Sequence, residues 1–128
     1  ILEFSEENFQ TVKETDTIKQ AVSLMSENEQ SELVVVDAKG EFKGKINSLS
    51  LFNKSGTILS AGVIETNCIV IKHDASLQSA MEIAAEFVGE IIPIINIETK
   101  KAVAIITEGA IFQAYLSKQN QTVEMERR

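Results

Sequence analysis

The chain has 128 residues, 44% of them hydrophobic, which is apolar material for one compact domain or two very small ones and argues against a disordered chain. Its formal net charge is −7, and that balance speaks against nucleic acid as a partner, because phosphates demand basic patches. Cys68 is the only cysteine, so an internal disulfide is excluded and a reducing compartment fits.

Aromatics make up 5% of the residues and Trp is absent, so the core must be built from Ile, Val, Leu and Ala. No apolar run approaches the roughly 18 residues that a membrane span requires. The opening Ile1-Leu2-Glu3-Phe4 has no Met and no basic-then-apolar signal pattern, so the chain reads as a fragment of something longer. Cys68 reads as a small apolar residue beside a strand. His73 is the only histidine and has no metal-ligand spacing around it, so no metal site is expected.

Self-similarity settles the organisation. Thr11–Met25 matches Val70–Ala84 with Ala21 over Ala80, an offset of 59 residues. Val12 then meets Ile71, Thr17 meets Ser76, Ile18 meets Leu77 and Val22 meets Met81. Leu33–Asp37 meets Ile92–Asn96, and after one extra residue in the second turn Phe42–Asn47 meets Ala102–Thr107. Leu51-Phe52 meets Ile111-Phe112.

Each copy reads as strand, helix, strand, strand, helix. In the first, Thr17 caps a helix and Gln20 completes a capping box. Ile18, Ala21, Val22 and Met25 form its apolar stripe. Leu33–Val36 is a β-branched run typical of a buried strand. Asp37-Ala-Lys-Gly40 makes the following turn, with Gly40 free to take positive φ. A short helix is expected from about Ser48 to Lys54, stopped by Ser55-Gly56. The linker that follows is apolar through Ile58, Leu59, Val63 and Ile64, so it should pack rather than hang free.

In the second copy Ser76 caps a helix, but Ser79 does not complete the box. Leu77, Ala80, Met81 and Ala84 repeat the stripe, and the shared Ala predicts close approach of helix to sheet. Ile91–Ile95 is the buried strand, and Pro93 belongs near its start or on an edge. The turn Ile97–Lys101 lacks Gly and must differ from its counterpart. A last helix is expected from about Glu108 to Gln119, with Ile111, Phe112, Tyr115 and Leu116 facing the core or a partner. The polar stretch beyond it should fray. The expected divisions are 1–56 for the first repeat with its N-terminal arm, 57–66 for the linker, 67–119 for the second repeat and 120–128 for the tail. A unit of about 60 residues buries too little surface to be secure alone. The two should therefore form one α/β body, packed through their sheets about an internal pseudo-two-fold axis.

These residues resemble a tandem pair of CBS repeats, the module named after cystathionine β-synthase and also called a Bateman module. The resemblance rests on Thr15–Met25, Leu33–Asp37 and Gly40–Gly44, and again on Ala75–Ala80, Ile92–Asn96 and Ala104–Thr107, covering roughly residues 9 to 118. It implies two β-α-β-β-α repeats and a cytoplasmic regulatory or dimerising role inside a larger protein. Thr107–Gln119 and Phe87-Val-Gly-Glu90 are similar to the C-terminal region of bacterial ClC chloride channels and transporters. That likeness implies a parent in the inner membrane, a homodimer formed through the repeats, and a membrane transport domain as the covalent partner, with no insertion of this region itself.

Many CBS pairs bind adenine nucleotides between the repeats, using a Thr or Ser followed three residues later by an Asp that holds the ribose hydroxyls. Carried over, these places are Asn47 and Ser50 in the first repeat and Thr107 and Ala110 in the second. Neither repeat keeps the carboxylate. A charge-assisted hydrogen bond contributes about 1.5–3 kcal/mol, so its loss weakens ribose binding tenfold or more. The expectation is a module without a cofactor, with an adenine-nucleotide sensor as the alternative; Asn47, Ser50 and Thr107 are the candidate contacts, and Asn47 and Thr107 otherwise serve as helix caps. No catalytic constellation and no phosphate loop is present, so an enzyme is not expected.

Overall fold

The computed structural model describes residues 2–51, 63–87 and 89–127, with side chains through residue 118. The first half runs β1 (Thr11–Lys13), α1 (Ile18–Glu27), β2 (Glu32–Val36), β3 (Phe42–Asn47) and α2 (Ser48–Leu51). The second runs β4 (Ile71–Lys72), α3 (Leu77–Ala85), β5 (Ile92–Asn96), β6 (Lys101–Ile106) and α4 (Glu108–Arg127). Two three-stranded sheets result, ordered β1-β2-β3 and β4-β5-β6. In each the first pair is parallel, which needs the helical crossover, and the second is an antiparallel hairpin.

Local chemistry explains these elements. Thr17 N donates to Gln20 Oε1 at 2.8 Å while Gln20 N donates to Thr17 Oγ1 at 3.1 Å, which closes the capping box on α1. Ser76 Oγ accepts from Ser79 N at 3.1 Å on α3. In the first hairpin Asp37 Oδ1 accepts from the N–H groups of Lys39 and Glu41, each at 2.9 Å, and Gly40 takes a φ of 83°. In the second, Asn96 Oδ1 accepts from Glu98 and Thr99, and Lys100 takes the positive φ, 63°. Pro93 stands where the first repeat has Val34. The β1–β2 ladder begins at Val34, but the β4–β5 ladder begins one residue later at Ile94, past the missing N–H.

Strand alternation divides the apolar residues among three cores. Leu33 and Val35 face α1, with Ala21 and Met25. Ile92 and Ile94 face the helices of the second repeat, with Ala80, Ala84 and Ile111. Val34 and Val36 point the other way and meet Ile91 and Ile105 between the sheets. The two alanines of the shared stripe are fully buried, which is what close helix-to-sheet packing requires.

Two helical stripes are narrower than their sequence predicts. Val22 is 47% exposed, because α1 meets its sheet along Ile18, Ala21 and Met25 and turns Val22 to the rim. On α4, Ile111 and Ala114 are buried, whereas Phe112 and Leu116, about 100° and 140° around the helix from Ile111, are exposed. The backbone of α4 also continues to Arg127 rather than ending near Gln119, since no Gly or Pro interrupts it. The expected end of α2 at Lys54, its Ser55-Gly56 stop, and Ile58 and Leu59 lie outside the described residues.

The segments that precede β1 and β4 are exchanged. Glu6 pairs with Ile105, N to O at 2.8 and 2.9 Å, and Leu2 and Phe4 pack on the core of the second repeat. Glu65 pairs with Lys45, at 2.7 and 3.1 Å, and Val63 and Ile64 pack on the core of the first. Each repeat thus lends its leading arm to the other. Gly44 is where the arm crosses: its φ is +154°, and a Cβ there would lie 2.5 Å from the carbonyl oxygen of Glu65. Gly44→Ala should lower stability by about 2–4 kcal/mol, combining backbone strain with overpacking, and urea unfolding measures it.

Candidate functional site

The pseudo-two-fold axis runs along the seam between the sheets. Ser31 and Glu90 are counterparts at the 59-residue offset, and they touch: Ser31 N and Oγ both donate to the Glu90 carboxylate, the former at 3.2 Å to Oε2. Just beneath them lies a buried charge pair. Lys45 Nζ is 3.1 Å from Glu32 Oε1, and the residues are 2% and 7% exposed. Glu32 Oε1 also accepts from Glu90 N at 2.6 Å and Ile91 N at 2.8 Å, while Lys45 Nζ donates to Ile91 O at 3.0 Å. The ammonium sits 4.9 Å from the ring centre of Phe87. Two residues of the first repeat therefore grip Glu90 and Ile91 of the second through charge-assisted bonds.

Above this clasp a cleft opens. It has a volume of about 490 Å³ and is bounded by Glu32, Asn47, Ser48 and Leu49 of the first repeat and by Gly89 and Glu90 of the second. An adjoining hollow of about 640 Å³ shares Ser31, Ser48 and Glu90 and is walled by Val22, Met25 and Leu51. Both volumes suit a small ligand.

The sequence-derived positions are distributed unevenly around it. Asn47 lines the cleft, and its Oδ1 accepts from Ser50 N at 2.9 Å, capping α2. Ser50, one turn on, is partly buried and is not among the described lining residues of either hollow. Thr107 is on the other repeat, where its Oγ1 accepts from Ala110 N at 3.1 Å and caps α4. Of the three, Asn47 is among the described lining residues of these hollows. Cys68 is half-buried, and burial pushes its thiol pKa up, against a nearby lysine charge that lowers it. Among the described residues no group of three or more His, Cys, Asp or Glu is placed to hold a metal, and no helix is long and apolar enough to cross a membrane.

Sequence reasoning passed over Glu32, Lys45 and Glu90. The available signal was the repeat itself. The counterparts of Glu32 and Lys45 are Ile91 and Ile105, both buried at the seam. A Glu and a Lys at two positions where the other copy has Ile mark a charge pair inside an apolar interface.

The CBS domain family matches residues 2–54. The fold extends that likeness over nearly the whole chain. CBSX2 in complex with AMP aligns with a TM-score of 0.76 at 20% identity, covering 91% of this chain and 96% of that one. This is the fold of a CBS domain pair. The pair domain of a candidate Mg2+ transporter from Shewanella oneidensis gives 0.79 at 13% identity, over 91% of this chain and 69% of that one. A CBS pair in complex with 5′-methylthioadenosine and S-adenosyl-L-methionine gives 0.73 at 17%, over 91% and 94%. Comparison with curated protein sequences finds no significant match.

The clasp makes a direct prediction. Lys45→Ile strands the Glu32 charge and should cost about 3–5 kcal/mol. Glu32→Ile with Lys45→Ile copies the second repeat and should recover part of that loss. Full recovery is not expected, since Glu90 N and Ile91 N lose their acceptor. Urea denaturation of the single and double variants measures both effects.

Proposed function

We propose that this CBS pair is a non-catalytic regulatory and dimerising module of a larger protein, whose membrane domain is a transporter of the ClC type. The observation that carries the regulatory reading is the seam cleft, whose walls come from both repeats. Anything that binds there touches both, and so biases their relative placement by its differential affinity for the two arrangements. The transporter parent is supported by the ClC-like run Thr107–Gln119 and by the similarity of the fold to a transporter's CBS pair. In such a parent the module lies on the cytoplasmic side.

The partner is a second copy of the module. Leu49 is 86% exposed on α2, and Phe112 and Leu116 are exposed on α4, apolar surface that a second copy can cover. Light scattering should report a dimer at high micromolar concentration. Leu49→Glu with Leu116→Glu should shift it to monomer with little change in melting temperature. A wild-type chain that stays monomeric at millimolar concentration would contradict the dimer.

Sensing of an adenine-based ligand is the second reading, favoured by the apolar wall of the cleft and by Asn47 at its edge. Related folds hold AMP, 5′-methylthioadenosine or S-adenosylmethionine. This reading expects saturable thermal stabilisation by at least one adenosine compound, growing with ligand concentration as mass action requires.

A further inference from the structure

We infer that the joined hairpin tips, at the end of the module away from the seam cleft, form a docking surface for an anionic lipid bilayer. Strands β2 and β5 both begin beside the cleft and end in the turns 37–41 and 97–100. These turns are tied together across the repeats. Phe42 N donates to Lys100 O at 2.8 Å, Glu41 pairs with Lys101, and Lys101 Cε lies 3.9 Å from where a Cβ on Gly40 would stand. Lys39, Lys100 and Lys101 are thereby gathered on one tip, all exposed, and none of them makes a salt bridge among the described residues. Lys43 adds a further charge, paired with Asp37 at 3.7 Å. Of the turn carboxylates, Asp37 is drawn inward to accept from Lys39 N and Glu41 N, Glu41 is half-buried, and Glu98 is exposed. Ile97, 50% exposed, stands among these lysines. Lys13 and Lys72 end β1 and β4 on the same side, balanced by Glu14, Asp16 and Asp74.

Charge is thus segregated along the strands. Glu27, Glu29, Glu32, Glu86 and Glu90 lie at the cleft end, where Lys45 is committed to Glu32. A strand the length of β2 or β5 separates the two ends by about 17 Å. The screening length at physiological salt is about 8 Å. A plane of lipid phosphates against the tips therefore feels the lysines and is screened from the acidic end. A chain of net charge −7 can in this way dock on an anionic surface, in one orientation, with the cleft facing away. Each lysine near such a surface strengthens partitioning by about fivefold. Ile97 can enter the headgroup region and leave water, which a bilayer permits and a rigid anion does not. Nucleic acid fits less well, since the turns hold no aromatic residue on which a base could stack. This docking requires no particular parent protein.

Sedimentation of the whole chain with lipid vesicles tests the assignment. At physiological salt the chain should pellet with vesicles of equal parts phosphatidylglycerol and phosphatidylcholine, and not with phosphatidylcholine alone. Concentrated salt should release it. Lys39→Gln with Lys101→Gln should weaken binding roughly 10–30-fold. Lys19→Gln, the same charge change on the exposed side of α1, should leave it unaltered, and equal melting temperatures check that each variant is folded. A double variant that binds as well as the wild type would overturn the docking surface, as would a wild-type chain that stays in solution with the anionic vesicles. Binding of soluble poly-glutamate without any pelleting on vesicles would overturn the lipid assignment and give the tips to an acidic protein surface.

Discussion

A charge buried between two sheets must find a partner, and the Glu32–Lys45 pair organises the seam around that need. A pair of this kind adds little net stability over well-packed apolar residues, and its effect is to fix geometry. Here it dictates where the second repeat sits. Glu32 takes two consecutive N–H groups, of Glu90 and Ile91, and Lys45 takes the carbonyl of Ile91. Those bonds hold Glu90 and Ile91 against the first repeat. Gly89 belongs to the same constraint, since a Cβ there would approach Glu32 Oε2 to 2.9 Å and the Phe87 ring to 2.8 Å. Glu32 and Glu90 of the clasp also line the cleft.

The exchanged arms work alongside it. Glu6 on Ile105 and Glu65 on Lys45 are equivalent contacts across the pseudo-axis, and they tie each repeat to the other by backbone bonds. Lys45 takes part in both systems, through its main chain with Glu65 and through its side chain with Glu32. The two repeats differ at the seam: the first has Glu32 and Lys45 where the second has Ile91 and Ile105.

Much of the fold was legible because it occurs twice. A repeated helical stripe, β-branched strand and hairpin turn leave one β-α-β-β-α unit, and such a unit must pair with its copy to bury enough surface. The caps at Thr17, Ser76, Asn47 and Thr107 follow from local chemistry. The stripe on α1 was drawn too wide, and on α4 the core takes only part of the stripe. Periodicity tells which residues share a helix face, but Val22, Phe112 and Leu116 show that helix placement decides how much of that face meets the sheet.

What the sequence determined by itself was the repeat and its element order. These depend on spacing along the chain and on residue type, which sequence carries directly. The tertiary structure decided the rest. It exchanged the arms, buried Lys45 beside Glu32 thirteen residues away, and set Glu90 against Ser31 across fifty-nine. Such contacts depend on how two surfaces meet, and the preferences of neighbouring residues along a chain do not encode them.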